Sequence, residues 1–285
     1  MKKSIFIITL LVILVTAVAA NYSIASEATH AAEHNGGGEH PHYSLLHFIA
    51  KLLPDGWIPQ PMRWKQPDLV LNTYLVIMFL VIFTFLGAKK LQLIPTSKLQ
   101  ILFEIVVESL DNFFSGVIGP RGAKYAPYVS SIFIFILCMN FLGLIPGFQA
   151  PTADLNTTAA LGFTAVLGVQ IIGIKENGFI GYIRHFMGTP IWLAPLQFPL
   201  HIIGEISRAL SLSIRLFGNI FGEETVMLQL TTMSAGILIA GKIPWLPGEL
   251  PMMFLGLLFG LIQALVFSML TAIYIVTFLE HGEEH

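Results

Sequence analysis

The feature that most limits the fold of this chain is a set of stretches without a charged side chain. They cover residues 69–88, 125–150, 155–174 and 250–279. Each reaches the length of about 20 residues that crosses a hydrocarbon core as a helix. Charged residues make up only 11% of the chain, against about 25% in ordinary soluble domains. The sequence therefore predicts an all-α integral membrane protein rather than a soluble fold.

A fifth apolar region, residues 199–241, is interrupted by charges. As one helix, with a rise of about 1.5 Å per residue, it would be about 60 Å long, twice the thickness of the hydrocarbon core. We therefore expect it to break or to lie strongly tilted. Residues 242–251, rich in proline and glycine, form a turn into the last helix. The sequence predicts about five membrane helices, including a long tilted C-terminal hairpin.

Another helix is predicted between the first two spans. Its apolar residues recur at helical spacing, opposite Glu104, Glu108 and Asp111. These apolar positions are Leu99, Leu102, Phe103, Val106, Val107, Leu110, Phe113 and Phe114. This pattern is typical of a helix that lies at the membrane interface.

The positions of the basic residues predict the orientation. Lys89, Lys90, Lys98, Arg121 and Lys124 follow the first span, and Lys175 and Arg184 follow the third. Residues 148–154, which follow the second span, contain no basic residue. Because basic segments between spans stay in the cytoplasm, the N-terminus is expected to be exported and the C-terminus cytoplasmic. The membrane domain is predicted to comprise residues 69–285.

The first 68 residues are predicted to precede this membrane domain. Residues 1–20 have the pattern of a signal peptide, with Lys2 and Lys3 before an apolar run and small residues at 17–20. An uncleaved first helix is the alternative. Residues 21–68 form an exported tail and lead-in, rich in histidine and glutamate. The histidines lack the fixed spacing of a structural zinc site, which favours a solvated tail over a metal site.

No arrangement of residues in the sequence predicts catalysis, a cofactor or a metal site. The chain lacks a phosphate-binding glycine loop, a zinc-binding His-Glu-x-x-His helix and a nucleophile elbow. Its net charge of −2 gives no basic surface for nucleic acid. Cys138 lies alone in an apolar stretch. His201 and Glu205 are one helical turn apart, but without a third ligand they predict a hydrogen-bonded or proton-exchanging pair.

A polar face inside the fifth apolar region is the strongest functional signal. Steps of three and four residues place Arg208, Ser211, Arg215, Asn219 and Gly222 on one side of a helix. An arginine at bilayer depth costs from a few to more than ten kcal/mol, a cost that normally implies a function. Its guanidinium cannot relay a proton, but it can keep a nearby carboxylate ionised or block ion flow.

The two adjacent glutamates after this face are predicted to point elsewhere. Glu223 and Glu224 rotate away from it, Glu224 by about half a turn. A tilted helix can therefore present its arginine to one neighbour and its carboxylates to another.

These residues resemble a known family, the a subunits of rotary F-type ATP synthases. The resemblance rests on the Ser-Leu-Ser-Ile-Arg-Leu-Phe-Gly-Asn run at 211–219 and the Gly-Glu-Glu at 222–224. It extends to segments 139–146, 151–157 and 263–271, and covers the chain from about residue 69 to the C-terminus.

The resemblance implies a proton-translocating stator subunit that is coupled to ATP synthesis. Arg215 would face a rotating ring of c subunits and separate two half-channels. The exported-side half-channel would map onto Asn140, Asp154, Asn156, Asn219, Glu224 and Gln263, with Glu223 a weaker candidate and Ser211 on the Arg215 face. His201 and Glu205 would lie toward the cytoplasmic exit.

The chain departs from the family at three positions. Gly143 stands where some relatives carry an acid, Gly256 where histidine or glutamate occurs, and His201 where glutamate is frequent. These departures put the residue-level proton path in doubt.

The resemblance also implies partners and a location. The partners would be the c ring, the b subunits of the peripheral stalk, the remaining ATP synthase subunits and membrane lipid. The chain would lie in the bacterial inner membrane, and no nucleic acid is expected. The alternative is an independent secondary transporter in which Arg215 binds an anionic substrate.

Overall fold

The computed structural model describes residues 67–88, 98–145, 148–187, 193–239 and 249–280. These ranges contain six α-helices and no strand: α1 (Pro67–Ala88), α2 (Lys98–Ile118), α3 (Ala126–Leu142), α4 (Leu155–Met187), α5 (Ala194–Ile239) and α6 (Glu249–Glu280). Short 3₁₀ turns at Ala123–Tyr125 and Pro151–Ala153 precede α3 and α4. The predicted signal peptide and all but the last two residues of the exported tail lie outside the described residues.

The apolar composition of these helices supports the prediction of an all-α integral membrane protein. Ala123–Leu142, Leu155–Gly178 and Pro251–Leu279 are each long and apolar enough to cross a membrane, and Asn72–Leu86 is a shorter apolar helix. The charged helix α5 does not belong to this apolar group within the described ranges. Its role as the fourth of five spans therefore stays a prediction.

The centre of the core is formed by α3, which is apolar on all sides. Val129, Ile136 and Met139 are fully buried, as expected for a helix surrounded by protein rather than one with a single apolar face. On one side α3 packs against α6, and on others against α1 and α2. Phe267 and Ile275 of α6 belong to the same buried cluster.

The most extensive packing in the chain is between α4 and α5. A glycine allows the two helices to come close. A Cβ atom built on Gly162 would lie 2.2 Å from Ser213 Oγ and 2.8 Å from the carbonyl oxygen of Ala209. Small residues at a crossing point let two backbones approach, which is common between membrane helices.

The predicted helix between the first two spans is confirmed as α2, but its apolar residues do not form one buried face. Phe103 and Phe114 are buried, whereas Leu102 and Phe113 are exposed. The helix thus packs on α3 along part of its surface and leaves apolar side chains outside, as a helix in contact with lipid does. Its position at the interface stays a prediction.

Helix α4 bends sharply at Gly178, which has φ 69° and ψ 165°. This backbone region is accessible almost only to glycine. After the bend, the hydroxyl of Tyr182 donates a hydrogen bond of 2.5 Å to Gln170 Oε1. Twelve residues of straight helix would separate these positions by about 18 Å. The bend therefore folds the last part of α4 back toward its own middle.

Three boundaries differ from those that charge alone predicted. Helix α3 ends at Leu142 rather than continuing to 150, because Gly143 packs on the backbone of Ala150 as the chain turns back. Helix α4 extends past 174 through the charged residues that ended the predicted span. Helix α5 begins at Ala194, contains Pro199 and runs unbroken to Ile239. Of the two expected solutions for α5, a break or a tilt, the break is wrong within the described residues.

Candidate functional site

The polar residues predicted to share a face of α5 do lie on its outer surface. Ser211, Arg215, Asn219 and Gly222 are exposed, and Arg208 is half-buried. We call these five residues the Arg215 face. A Cβ atom built on Gly218 or Gly222 would have no neighbouring atom within 4 Å. The positions of these two glycines next to the arginine are therefore open.

The guanidinium of Arg215 has no hydrogen-bond or ion-pair partner among the described residues. Nearby residues of α5 that point toward the rest of the bundle, Leu212, Leu216 and Ile220, are buried in the core. An arginine cannot lose its charge, and an unpaired charge facing lipid is costly. Among the described residues, the charge of Arg215 is therefore left uncompensated.

A hydrogen-bond network joins α3, α5 and α6 on the C-terminal side of Arg215. Asn219 Nδ2 donates to Gln263 Oε1 at 2.8 Å. Nearby on α6, the carbonyl oxygen of Gly260 accepts a bond of 3.0 Å from Asn140 Nδ2. The hydroxyl of Thr152 donates to Asn140 Oδ1 at 2.8 Å. Two separate sets of bonds therefore meet on α6: Asn219–Gln263 holds it to α5, and Asn140 holds it to α3 and, through Thr152, to the turn before α4.

The two adjacent glutamates point inward in different directions. The backbone N–H of Ala150 donates to Glu224 Oε1 at 2.8 Å, so this carboxylate meets the turn before α4. Glu223 instead faces α6, where its Oε1 occupies the space of a side chain at Gly256: a Cβ there would lie 1.8 Å away. The Glu223 carboxylate thus fills the space beside Gly256 of α6, a position that has no titratable side chain of its own.

The other predicted residues on this side lie at the start of α4. Asp154 Oδ2 accepts a bond of 3.3 Å from the backbone N–H of Thr157, as a helix-capping carboxylate does. Asn156 lies in the first turn and is half-buried. The structure therefore gives Asp154 a capping contact, and a part in proton transfer stays a prediction for both residues.

A second polar network lies on the N-terminal side of Arg215. Glu205 forms an ion pair with Arg208, and its other oxygen, Oε2, accepts a hydrogen bond of 2.6 Å from Gln170 Nε2. The Arg208 guanidinium lies over the Tyr274 ring, 4.8 Å from its centroid. Burial raises the pKa of Tyr182, and the Glu205 carboxylate raises it further, so the Tyr182 phenol stays protonated as it donates to Gln170.

His201, the predicted partner of Glu205, lies one turn before it on α5. Its ring nitrogen Nδ1 lies 3.2 Å from the carbonyl oxygen of Gln197. No group of three His, Cys, Asp or Glu side chains that could hold a metal ion occurs among the residues that the structure describes.

Four members of these networks were not singled out from the sequence: Thr152, Gln170, Tyr182 and Tyr274. Gln170 gives a signal that could have found it, because it is an amide deep inside an uncharged stretch and such a group needs a partner. Thr152 and Tyr274 give no comparable signal. Their partners are distant in sequence, and only the packing of the helices brings them together.

Known proteins resemble this chain over the same region. The family described as ATP synthase A chain matches residues 70–276. The chain belongs to this family. Among its relatives, ATP synthase subunit a 1 of Pelobacter propionicus is 42% identical over 238 residues, which are 84% of this chain and 97% of the relative. ATP synthase subunit a of Syntrophobacter fumaroxidans is 44% identical over 217 residues, covering 76% of this chain and 86% of the relative.

A third relative, ATP synthase subunit a of Geobacter sulfurreducens, is 41% identical, covering 84% of this chain and 97% of the relative. The resemblance seen in the sequence motifs is therefore confirmed. The family match begins within α1 and ends within α6, so it extends over all six described helices.

Proposed function

We propose that this chain is the proton-translocating stator subunit of a rotary F-type ATP synthase, coupled to ATP synthesis. The family match and the name that its relatives share support this proposal. They favour it over the alternative of an independent secondary transporter. Catalysis of ATP formation would belong to other subunits of the complex.

The observation that carries the proposal is the unpartnered Arg215, among the described residues, on an exposed, polar face of α5. A ring of c subunits with a carboxylate at the same depth would supply the missing partner. The positive charge would lower the pKa of a ring carboxylate that passes it and favour release of its proton. The same charge would oppose direct passage of a proton from one half-channel to the other.

The exported-side half-channel is proposed to follow the network on the C-terminal side of Arg215. Asn219, Gln263 and Asn140 supply amides that can hold water, and their hydrogen bonds at 2.8 and 3.0 Å fix their orientation. Glu224 and Glu223 supply the titratable groups. Asp154 and Asn156 would lie at the exported mouth of this path.

The cytoplasmic-side half-channel is proposed to leave Arg215 toward the N-terminal half of α5. Glu205 and His201 are the titratable groups there, one helical turn apart. Ser211 lies one turn from Arg215 on the Arg215 face and offers a hydroxyl to a ring carboxylate or to water. The proposed partners are the c ring, the b subunits of the peripheral stalk and the remaining ATP synthase subunits, in the bacterial inner membrane.

The test is Arg215→Ala, measured in inverted membrane vesicles that contain the assembled complex. We expect ion-driven ATP synthesis to be abolished and a passive proton leak to remain. Arg215→Lys is expected to fail as well, because an ammonium group can lose its proton when desolvated and lacks the planar guanidinium. Unaltered ATP synthesis in Arg215→Ala vesicles would contradict the role of separator.

A further inference from the structure

We infer that Arg208 is a positioning residue for Arg215: paired with Glu205 and laid over the Tyr274 ring, it fixes the rotation of α5 against α6. This inference rests on the proposed function, in which the direction of Arg215 toward the ring matters. It assigns a role to Arg208, Gln170, Tyr182 and Tyr274, which neither the sequence motifs nor the family match explains.

The first support is that Arg208 has two partners within the chain. Its guanidinium is paired with a carboxylate of its own helix and with an aromatic face of α6. Arginine suits both contacts at once, because a planar guanidinium can stack on a ring while its edge donates to a carboxylate. Arg208 therefore differs from Arg215, which has no partner among the described residues.

The second support is that α5 is tied to α6 on both sides of Arg215. Arg208 contacts Tyr274 seven residues before it, and Asn219 bonds to Gln263 four residues after it. These ties lie about 10 Å and about 6 Å from Arg215 along the helix. One tie before Arg215 and one after it hold this segment of α5 against α6 and restrict its rotation.

The third support is that α4 also contacts the Glu205–Arg208 pair, through a hydrogen bond to Glu205. Gln170 donates to the carboxylate oxygen that Arg208 leaves free, and Tyr182 in turn donates to Gln170. The bend at Gly178 is what brings Tyr182 within reach. Stacking of the Tyr182 ring on Phe278, with centroids 6.0 Å apart, ties this bent segment to α6 as well. The pair is thus oriented by three helices.

The experiment compares Tyr274→Leu with the matched variant Tyr274→Phe, which keeps the ring face, in assembled complexes carrying Cys138→Ser. Single cysteines at Leu210, Ser211 and Ile214 are tested for disulfide crosslinking to a cysteine on the c subunit. In the parent complex the highest yield is expected at Ser211. Loss of one cation–π contact should lower the population ratio of the fixed orientation of α5 to rotated orientations by about two- to thirtyfold. Tyr274→Leu should therefore move the highest crosslinking yield away from Ser211.

The same complexes are assayed for ATP-driven proton pumping per ATP hydrolysed. Tyr274→Leu should lower this coupling ratio by a similar factor, and Tyr274→Phe should retain most of it. If Tyr274→Leu fails to assemble, Gln170→Met keeps the side-chain length but removes the amide, and should shift the crosslinks in the same way. An unchanged crosslink distribution in the assembled variant, or equal defects in Tyr274→Leu and Tyr274→Phe, overturns the inference.

Failure of the proposed function gives a different result. In that case cysteines on the Arg215 face of the parent complex would not crosslink to the c subunit at all. Crosslinks that form in the parent but do not respond to Tyr274→Leu would leave the rotary function standing and reject only the positioning role of Arg208.

Discussion

Arg208 and Arg215 lie two helical turns apart on the same face of α5, yet their surroundings differ. Arg208 has a carboxylate and an aromatic ring as neighbours, whereas Arg215 has no partner among the described residues. Pairing lowers the cost of holding a charge in a membrane, so a charge left unpaired implies interaction with another molecule. The structure thus pairs Arg208 within the chain and leaves Arg215 without a partner among the described residues, as the proposed contact with the c ring requires.

At the same scale, the two glutamates differ in what they touch. We predict that Glu224→Gln slows passive proton conduction by about a hundredfold, the lower end of what a positioned proton-transferring group contributes. Glu223→Gln should have a smaller effect, because its carboxylate faces the small residue Gly256 rather than the turn before α4. The measurement is proton conduction in vesicles stripped of the soluble head of the complex.

Gly256→Ala is the control for this pair. Its Cβ would collide with Glu223 Oε1, so it displaces that carboxylate without touching the contact between Glu224 and Ala150. Conduction should remain closer to the parent than in Glu224→Gln. A larger loss in Glu223→Gln than in Glu224→Gln would show that the relay runs through the neighbouring residue.

At the scale of the helices, the bend in α4 depends on one glycine. Gly178→Ala should destabilise the protein by about 1–3 kcal/mol, because alanine adopts the φ and ψ of this residue only with strain. The space around the position is open, so a steric clash does not contribute. The effect is measured as the change in the unfolding free energy of the purified chain in detergent.

Gly181→Ala is the matched control, since it lies three residues further on, where a Cβ would meet only the Asn177 side chain at 3.5 Å. Alanine favours a helix more than glycine does, so this variant should be neutral or more stable. Equal destabilisation by the two substitutions would mean that the bend at Gly178 does not limit stability.

Sequence reasoning found the helices more reliably than their ends. Long uncharged stretches predict membrane helices because an unpaired charge in lipid is costly. Helices α1, α3, α4 and α6 each contain most of one such stretch. The same reasoning ended α4 at 174, since Lys175 and Glu176 are charged, yet Glu176 pairs with Lys124 at 2.6 Å and the helix continues. The bend at Gly178 lies at an Asn177-Gly178 pair, a turn signal that reasoning from charge alone does not use.

The candidate site likewise has a part that the sequence predicts and a part that it does not. Helical spacing placed the Arg215 face correctly, because positions three and four apart on one helix share a side whatever the packing. Contacts between helices, such as Asn219 with Gln263, join residues 44 positions apart and depend on how the helices dock. The family resemblance named both residues, but only the structure shows that they share a hydrogen bond.

For the molecule as a whole, the number and order of the membrane spans decide which side of the membrane each polar network next to Arg215 faces. If the N-terminus is exported and the chain crosses the membrane five times, α5 runs from the cytoplasm outward. The network around Glu205 then lies toward the cytoplasm, and the network around Asn140 and Gln263 lies toward the exported side. The two proposed half-channels consequently depend on a topology that rests on the distribution of lysine and arginine between the spans.

Labelling with a membrane-impermeant thiol reagent tests this topology in intact cells and inverted vesicles. In a chain carrying Cys138→Ser, Gly248→Cys should react from the exported side and Gly282→Cys from the cytoplasmic side. Both positions lie outside the described helices, so the expectation comes from the sequence alone. Each variant serves as the control for the other, because an intact membrane protects one of them in each preparation. Reaction of Gly282→Cys from the exported side would exclude five spans, exchange the two sides and assign the Glu205–Arg208 pair to the exported half of the molecule.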